Sequence, residues 1–153
     1  MAVPAKEIDQ RLNRFIEACR RSGHRVTHQR LEVVREAAST DEHPDIETIY
    51  SRVQKRVPTV SLDTVYRTMR LLVDLGLASA VPTDQERMRY DANTDPHHHF
   101  VCVRCGLVRD FQADARGGFR VPKEVESWGH VTSAHLELRG VCRRCRPRLR
   151  EKD

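Results

Sequence analysis

The sequence predicts an α+β chain in which an N-terminal winged helix-turn-helix domain precedes a small α/β domain with a four-cysteine zinc site. Two observations carry this prediction. Helical periodicity fills most of residues 1–76 and is followed by two short strand-like runs. Beyond them we predict strands at 97–103, 107–111 and 130–139, with a glycine break at 117–118 and a short helix near 122–127. Four of the chain's five cysteines lie in this part and form two Cys-x-x-Cys pairs. We place the domains at 1–91 and 92–153, where the second begins with the hinge-like segment Ala-Asn-Thr-Asp-Pro.

The composition restricts the class of protein. Hydrophobic residues make up 39% and charged residues 32%, which is typical of a globular chain rather than a disordered one. No apolar run approaches the roughly 20 residues that cross a bilayer. Because the N-terminus lacks the apolar stretch of a signal peptide, we expect a cytoplasmic protein with reduced thiols. The net charge of +5 permits nucleic-acid binding, but it is spread over both halves and proves nothing.

Four amphipathic helices are predicted in the first domain. The first has apolar residues at helical spacing from Ile8 to Cys19 and ends at Gly23, a usual left-handed stop. A break at His43-Pro44 separates the second helix from the third. The predicted N-caps of the second, third and fourth helices are Thr27, Asp45 and Ser61.

The fourth helix, predicted from Ser61 to Leu75 with Gly76 as its stop, is the candidate for the helix that enters the DNA major groove. Two strand-like runs, 77–81 and 88–91, would form the wing. The residues expected to face inward are Leu62, Val65, Met69 and Leu72. The residues expected to face solvent are Thr64, Arg67, Thr68 and Arg70.

The cysteines predict a structural zinc site. Two Cys-x-x-Cys knuckles each place two sulfurs close together, and two knuckles complete a tetrahedral shell with no open position. Unrelated buried thiols or a redox pair are the alternatives, and the matched spacing favours zinc. Cys19 lies on an apolar helix face, where packing is its expected role. The predicted zinc ligands are Cys102, Cys105, Cys142 and Cys145.

A run of three histidines begins the first strand of the second domain. Because side chains alternate along a strand, His97 and His99 should share a face while His98 points away. A histidine run alone is equally compatible with a solvated or adventitious metal-binding surface. Three further candidate ligands are His43, Asp91 and Asp110, and nothing in the residues themselves shows that they converge.

Taken together, several segments resemble the ferric uptake regulator family over essentially the whole chain. The matching segments are Arg-Val-Thr-His-Gln-Arg at 25–30, Glu-His-Pro-Asp at 42–45, Ser-Leu-Asp-Thr-Val-Tyr-Arg at 61–67, Gly-Leu at 76–77, Arg-Tyr-Asp at 89–91, the histidine and first cysteine motif at 97–106, and Gly-Val-Cys-Arg-Arg-Cys at 140–145. The resemblance implies a homodimeric repressor in which the second domain mediates dimerisation. It also implies a palindromic, A·T-rich DNA operator.

The resemblance further implies a regulatory metal site. Its ligands carry over onto His43, Asp91, His97, His99 and Asp110. Three imidazoles and two carboxylates without a thiolate suit Fe²⁺ or Mn²⁺ better than a soft metal. Aspartate at both carboxylate positions is typical of the peroxide-responsive branch, in which iron-catalysed oxidation of His43 and His97 would release the DNA. An iron-responsive repressor of uptake genes is the alternative, and a non-regulatory zinc protein is a further one.

Two more expectations concern DNA and a third metal site. The DNA-contact candidates are Arg25, Arg30, Thr64, Tyr66, Arg67 and Arg70. For Tyr66 the resemblance is the main support, and a core aromatic is the alternative. Many family members have a further metal site with a histidine where this chain has Ala134; the neighbouring His135 should face the opposite side of a strand. An enzyme is disfavoured, because no nucleophile–base pair or three-ligand catalytic zinc is visible.

Overall fold

The computed structural model describes residues 3–85, 87–112, 121–132 and 134–146. The chain divides into two compact units, Met1–Thr94 and Asp95–Asp153. Each unit contains both helix and sheet, so the predicted α+β class is confirmed. The expected glycine break at 117–118 lies outside the described residues.

Four helices form most of the first unit: α1 (Ala5–Ser22), α2 (His28–Ala38), α3 (Ile46–Gln54) and α4 (Leu62–Asp74). The three predicted N-caps accept hydrogen bonds from backbone N–H groups three residues later. The first helix ends at Gly23, whose φ of 72° is left-handed. Among the described residues, no helix combines the length and apolar character that a membrane span requires.

A two-stranded hairpin follows the helices. β1 (Ser79–Pro82) pairs antiparallel with β2 (Met88–Asp91), from Ser79 opposite Asp91 to Pro82 opposite Met88. The second strand has the predicted bounds, whereas the first begins two residues later than expected. Leu77 instead belongs to the turn after α4, where its N–H donates to the carbonyl of Leu72 at 2.9 Å.

The core of the first unit lies between the helices, and α4 contributes a full stripe to it. Val65, Met69 and Leu72 are buried as predicted. Two expectations were wrong: Leu62 is 46% exposed, and Thr68 is fully buried. Leu62 is the first residue after the N-cap and extends beyond the core. Thr68 tolerates burial because its hydroxyl donates to the Thr64 carbonyl at 2.7 Å, as threonine in a helix commonly does.

The second unit contains a three-stranded sheet of order β4-β3-β5. β3 (His98–Cys102) pairs antiparallel with β4 (Val108–Phe111) and parallel with β5 (Glu137–Gly140), and α5 (Lys123–Trp128) lies between β4 and β5 in the chain. The strand predicted at 130–139 is much shorter than expected. Residues 134–136 precede it in irregular backbone, which changes the environment of His135.

Burial of the inward face of α4 leads to a prediction about the free energy of unfolding. Met69→Ala removes a side chain with no exposed surface and should lower the free energy of unfolding by about 2–5 kcal/mol. The matched control is Met88→Ala, because Met88 is 46% exposed and its truncation should cost less than about 0.5 kcal/mol. Urea denaturation followed by far-ultraviolet circular dichroism measures both values. Equal losses in the two variants would contradict the assigned core.

Candidate metal centres

The four predicted zinc ligands form one cluster in the second unit. Each offers a sulfur that lies within 4.8 Å of the other three, and the sulfurs of Cys105 and Cys142 are 3.7 Å apart. All five cysteines of the chain are free thiols. Cys19 lies elsewhere, fully buried in the helical core, which agrees with the packing role expected for it.

Tight turns at the ends of the strands bring the sulfurs together. The N–H of Gly106 donates to the Cys102 carbonyl at 2.9 Å, and the N–H of Cys145 donates to the Cys142 carbonyl at 3.0 Å. Gly106 has a φ of 65°, a conformation that side-chain-bearing residues rarely adopt. This glycine therefore provides the left-handed residue that the turn requires.

The thiols ionise unequally. Burial acts to raise the pKa of Cys102, but three backbone N–H groups donate to its sulfur and lower that pKa to about 6. Burial and hydrogen bonds with neighbouring thiols raise the pKa of Cys145 to about 12. Four sulfurs at this spacing cannot all become thiolates unless a cation compensates their charge. Zn²⁺ supplies that charge and prefers four sulfur ligands in a closed tetrahedral shell, so the cluster fits a structural zinc site.

A second cluster in the same unit combines His97, His99 and Asp110. His99 lies directly opposite Asp110 in the β3–β4 pairing, which brings the imidazole Nε2 within 3.3 Å of the carboxylate Oδ1. The Nε2 of His97 is 3.7 Å from the same oxygen. Both histidine side chains are more than nine-tenths buried. We call these three residues the histidine cluster.

A hydrogen bond to the backbone indicates which ring nitrogen of His97 carries the lone pair. The Nδ1 of His97 lies 2.6 Å from the Asp95 carbonyl, which can only accept, so in neutral His97 the Nε2 is an acceptor. This Nε2 is only 2.9 Å from the Nε2 of His99. If both rings are neutral acceptors at these atoms, two lone pairs and a carboxylate oxygen converge on one point. That arrangement is unfavourable unless a cation lies between them.

The spacing of the histidine cluster fits a metal ion. Adjacent ligands roughly 2.1 Å from an octahedral ion lie roughly 3.0 Å apart, close to the separation of the two imidazole nitrogens. Nitrogen and carboxylate oxygen donors without sulfur suit Fe²⁺ or Mn²⁺. The residues present therefore fit the regulatory metal that the family resemblance implies.

The first unit pairs two other candidate ligands, His43 and Asp91. The Nε2 of His43 is 3.8 Å from the Asp91 Oδ1, and both side chains are almost fully buried. His43 has a φ of 53°, and no other non-glycine residue in the described ranges has a positive φ. A strained backbone of this kind costs on the order of 1–3 kcal/mol and is characteristic of functional sites.

Asp45 connects the loop of His43 to the β1–β2 hairpin, whereas the sequence had indicated only its capping role. One carboxylate oxygen accepts from the Thr48 N–H at 2.8 Å, and the other is 3.3 Å from the Arg87 guanidinium. Burial acts to raise the pKa of Asp45, but these bonds and the charge of Arg89 hold it below its usual value. The adjacent Pro44 carbonyl accepts from the Tyr90 N–H at 3.1 Å. These contacts place His43 beside the end of β2.

The DNA-contact candidates lie on α4 and at the start of α2. Tyr66 is 50% exposed, so the alternative of a core aromatic is wrong. Arg67 and Arg70 are also exposed on α4, and Arg67 pairs with Asp63 at 2.8 Å. Thr64 is half-buried. At the start of α2, the Arg30 guanidinium donates to the exposed Arg25 backbone carbonyl at 2.6 Å.

Comparisons with known proteins agree with this architecture. The family model described as "Ferric uptake regulator family" matches residues 21–137. The Peroxide-responsive repressor PerR of Staphylococcus aureus (strain USA300) is 30% identical over 145 residues, which cover 95% of this chain and 98% of that protein. The chain therefore belongs to the ferric uptake regulator family, whose members are metal-dependent transcriptional repressors.

Solved structures share the fold. The ferric uptake regulator Fur of Helicobacter pylori superimposes with a TM-score of 0.77 at 24% identity, covering 91% of this chain and 93% of that one. Fur of Vibrio cholerae superimposes with a TM-score of 0.66 at 26% identity, covering 82% of this chain and 98% of that one.

The cysteine cluster predicts a zinc stoichiometry. Cys105→Ser should reduce bound zinc from about one ion per chain to nearly none, because a closed site loses its tetrahedral sulfur shell. Cys19→Ala is the control and should retain zinc, since Cys19 lies in the helical core. Elemental analysis of purified protein measures the ratio. Full zinc content in the Cys105 variant would exclude this cluster as the structural site.

Proposed function

We propose that this protein is a dimeric DNA-binding repressor that senses hydrogen peroxide through iron-catalysed oxidation of its histidine ligands. The observation that carries the proposal is the histidine cluster, in which two imidazole nitrogens and a carboxylate oxygen lie within 3.7 Å of one another. The similarity to a peroxide-responsive repressor over nearly the whole chain supports the same reading.

The proposed metal complement has two parts. Zn²⁺ bound by the four cysteines is structural, because no coordination position remains for a substrate. Fe²⁺ or Mn²⁺ is regulatory. Its proposed ligands are His43, Asp91, His97, His99 and Asp110, as the family resemblance implies. In the first unit His43 lies beside Asp91. In the second unit His97 and His99 lie beside Asp110.

A ligand set drawn from both units would explain how metal controls DNA binding. A metal that takes ligands from two units binds most tightly to the arrangement that brings those ligands together, and it shifts the population toward that arrangement. In a two-fold dimer the same arrangement would set the two α4 helices at the spacing of operator half-sites. The metal thus acts as the corepressor.

The sensing step depends on the ligand rings. Bound Fe²⁺ would supply the reduction of hydrogen peroxide next to these rings, with one oxygen atom of the peroxide passing to a ring and the other leaving as water. An imidazole that gains an oxygen atom becomes a poorer donor, so the metal is lost and the DNA is released. We propose His43 and His97 as the vulnerable rings. An iron-responsive repressor of uptake genes is the second candidate, and the structural similarity to Fur of Vibrio cholerae favours it.

Histidine oxidation distinguishes the two candidates. Zinc-loaded protein given Fe²⁺ and then stoichiometric hydrogen peroxide should gain one oxygen atom on His43 or His97, because iron held by these rings generates the oxidant beside them. Tandem mass spectrometry locates the added oxygen. Mn²⁺-loaded protein is the control and should remain unmodified. Intact rings in protein that retains its iron would favour the iron-responsive repressor, and oxidation confined to His98 would contradict the proposed ligand set.

DNA binding by α4 is tested by selection from a random duplex pool in the presence of Mn²⁺. A palindromic, A·T-rich duplex should be enriched, and Arg67→Ala or Arg70→Ala should weaken its binding by about 5- to 150-fold if the arginine reads a base. Arg20→Ala, an exposed arginine near the end of α1, should bind within about twofold of the wild type. Failure to enrich any duplex would favour a non-regulatory zinc protein.

A further inference from the structure

A short irregular segment before β5 covers the histidines of β3. The backbone N–H of His99 donates to the Leu136 carbonyl at 3.1 Å, and the backbone N–H of Leu136 donates to the ring Nδ1 of His98 at 3.2 Å. These bonds bring the ring of His135 to 4.8 Å from the ring of His99. The strand alternation expected for His135 does not apply, because residue 135 precedes β5.

His135 connects two members of the histidine cluster through its two nitrogens. Its Nδ1 lies 3.1 Å from the His97 carbonyl, and its Nε2 lies 3.2 Å from Nδ1 of His99. The carbonyl can only accept, so Nδ1 of His135 must carry a hydrogen. In neutral His135 the Nε2 is then an acceptor, and the hydrogen of the second bond belongs to Nδ1 of His99. Neutral His99 consequently keeps its lone pair on Nε2, the atom that faces Asp110.

We propose that His135 is a positioning residue for the regulatory metal, holding His99 in the tautomer and ring orientation that present Nε2 to the ion. This inference rests on the proposed regulatory site. Histidines that bind metals commonly donate their second ring nitrogen to an outer partner, which fixes the tautomer. His97 has such a partner in the Asp95 carbonyl, and His135 serves His99 in the same way.

His135 acts through its neighbours and is not itself a ligand. Both of its ring nitrogens are engaged, one by the backbone of His97 and the other by the ring of His99. His135 is exposed to solvent, whereas the side chains of His97 and His99 are more than nine-tenths buried. The exposed ring of His135 therefore restrains the backbone of His97 and the side chain of His99, both of which are proposed ligands.

Three substitutions separate hydrogen bonding from packing. His135→Phe keeps a ring but removes both hydrogen bonds, and His135→Ala removes the ring as well. His135→Gln supplies an amide oxygen that can accept from His99 and an amide N–H₂ that can donate to His97. His130→Ala is the matched control, because His130 is another exposed histidine of the same unit. Zinc content and circular dichroism establish that each variant is folded.

The first measurement reads the tautomer directly. Long-range nitrogen–proton NMR of histidine-labelled, zinc-loaded protein without Fe²⁺ or Mn²⁺ should show His99 with its hydrogen on Nδ1 in the wild type, the glutamine variant and the His130 control. The alanine and phenylalanine variants should show a mixture of tautomers. A hydrogen on Nε2 of His99 in the wild type would overturn the inference.

The second measurement is calorimetric titration with Mn²⁺. The alanine and phenylalanine variants should bind Mn²⁺ about 10- to 100-fold more weakly than the wild type, because losing the hydrogen-bond partner of a ligand typically weakens metal binding by that factor. The glutamine variant should recover most of the affinity. Wild-type affinity in the phenylalanine variant would overturn the positioning role while leaving the regulatory site intact. A wild-type protein that binds no Mn²⁺ would instead overturn the proposed regulatory site itself.

Discussion

The four sulfurs of the cysteine cluster determine the geometry of the second unit. Cys102 ends β3, Cys105 lies in the turn to β4, and Cys142 follows β5 by two residues. Joining these sulfurs to one zinc ion therefore fixes the ends of three strands at one point. The apolar core of this unit is otherwise small. In the part that the structure describes, its buried apolar side chains other than the cysteines are Val101 and Val108. Small units with so limited a core are commonly stabilised by a structural metal.

Strand register carries that constraint to the other end of β3. With Cys102 fixed, His99 lies opposite Asp110 on one side and opposite Glu137 on the other. A slip of one residue in the β3–β4 pairing would turn the β4 side chains to the opposite face and separate the imidazole from the carboxylate. The structural zinc site and the histidine cluster thus occupy the two ends of one strand, and the first supports the geometry of the second.

Two features of the candidate regulatory residues are characteristic of sites that bind a ligand. His43 has a strained backbone, and the Nε2 atoms of His97 and His99 approach one another at 2.9 Å. Arrangements of this kind persist where the surrounding structure holds them, and the binding of a metal recovers part of their cost. This coupling is the physical basis on which metal occupancy could alter the conformation of the protein.

Local signals predicted much of this structure from the sequence. The N-caps at Thr27, Asp45 and Ser61 were identifiable because a short polar side chain precedes each apolar period. The cysteine pairs were identifiable because their spacing has few other uses. Leu62 and Thr68 were assigned to the wrong environments, since periodicity alone ignores where the core ends and whether a hydroxyl finds a partner inside the helix.

Non-local contacts set the limit of sequence reasoning. The strand predicted at 130–139 is limited to Glu137–Gly140, so the contacts of His135 were not foreseen. Its partners lie 36 and 38 positions away, and no sequence period connects them. The convergence of the proposed regulatory ligands likewise came from family resemblance. The structure adds the positions of the ring nitrogens and of the carboxylate oxygen, which make the histidine cluster a candidate metal site on chemical grounds.

The central claim is that imidazole and carboxylate groups of this chain hold Fe²⁺ or Mn²⁺ while the cysteines hold zinc. Pulsed electron paramagnetic resonance of zinc-loaded protein titrated with Mn²⁺ measures the nuclei that surround the bound ion. The account predicts couplings from several imidazole nitrogens, with fewer of them in His99→Ala. A Mn²⁺ signal without imidazole nitrogen coupling, or one unchanged in that variant, would contradict it.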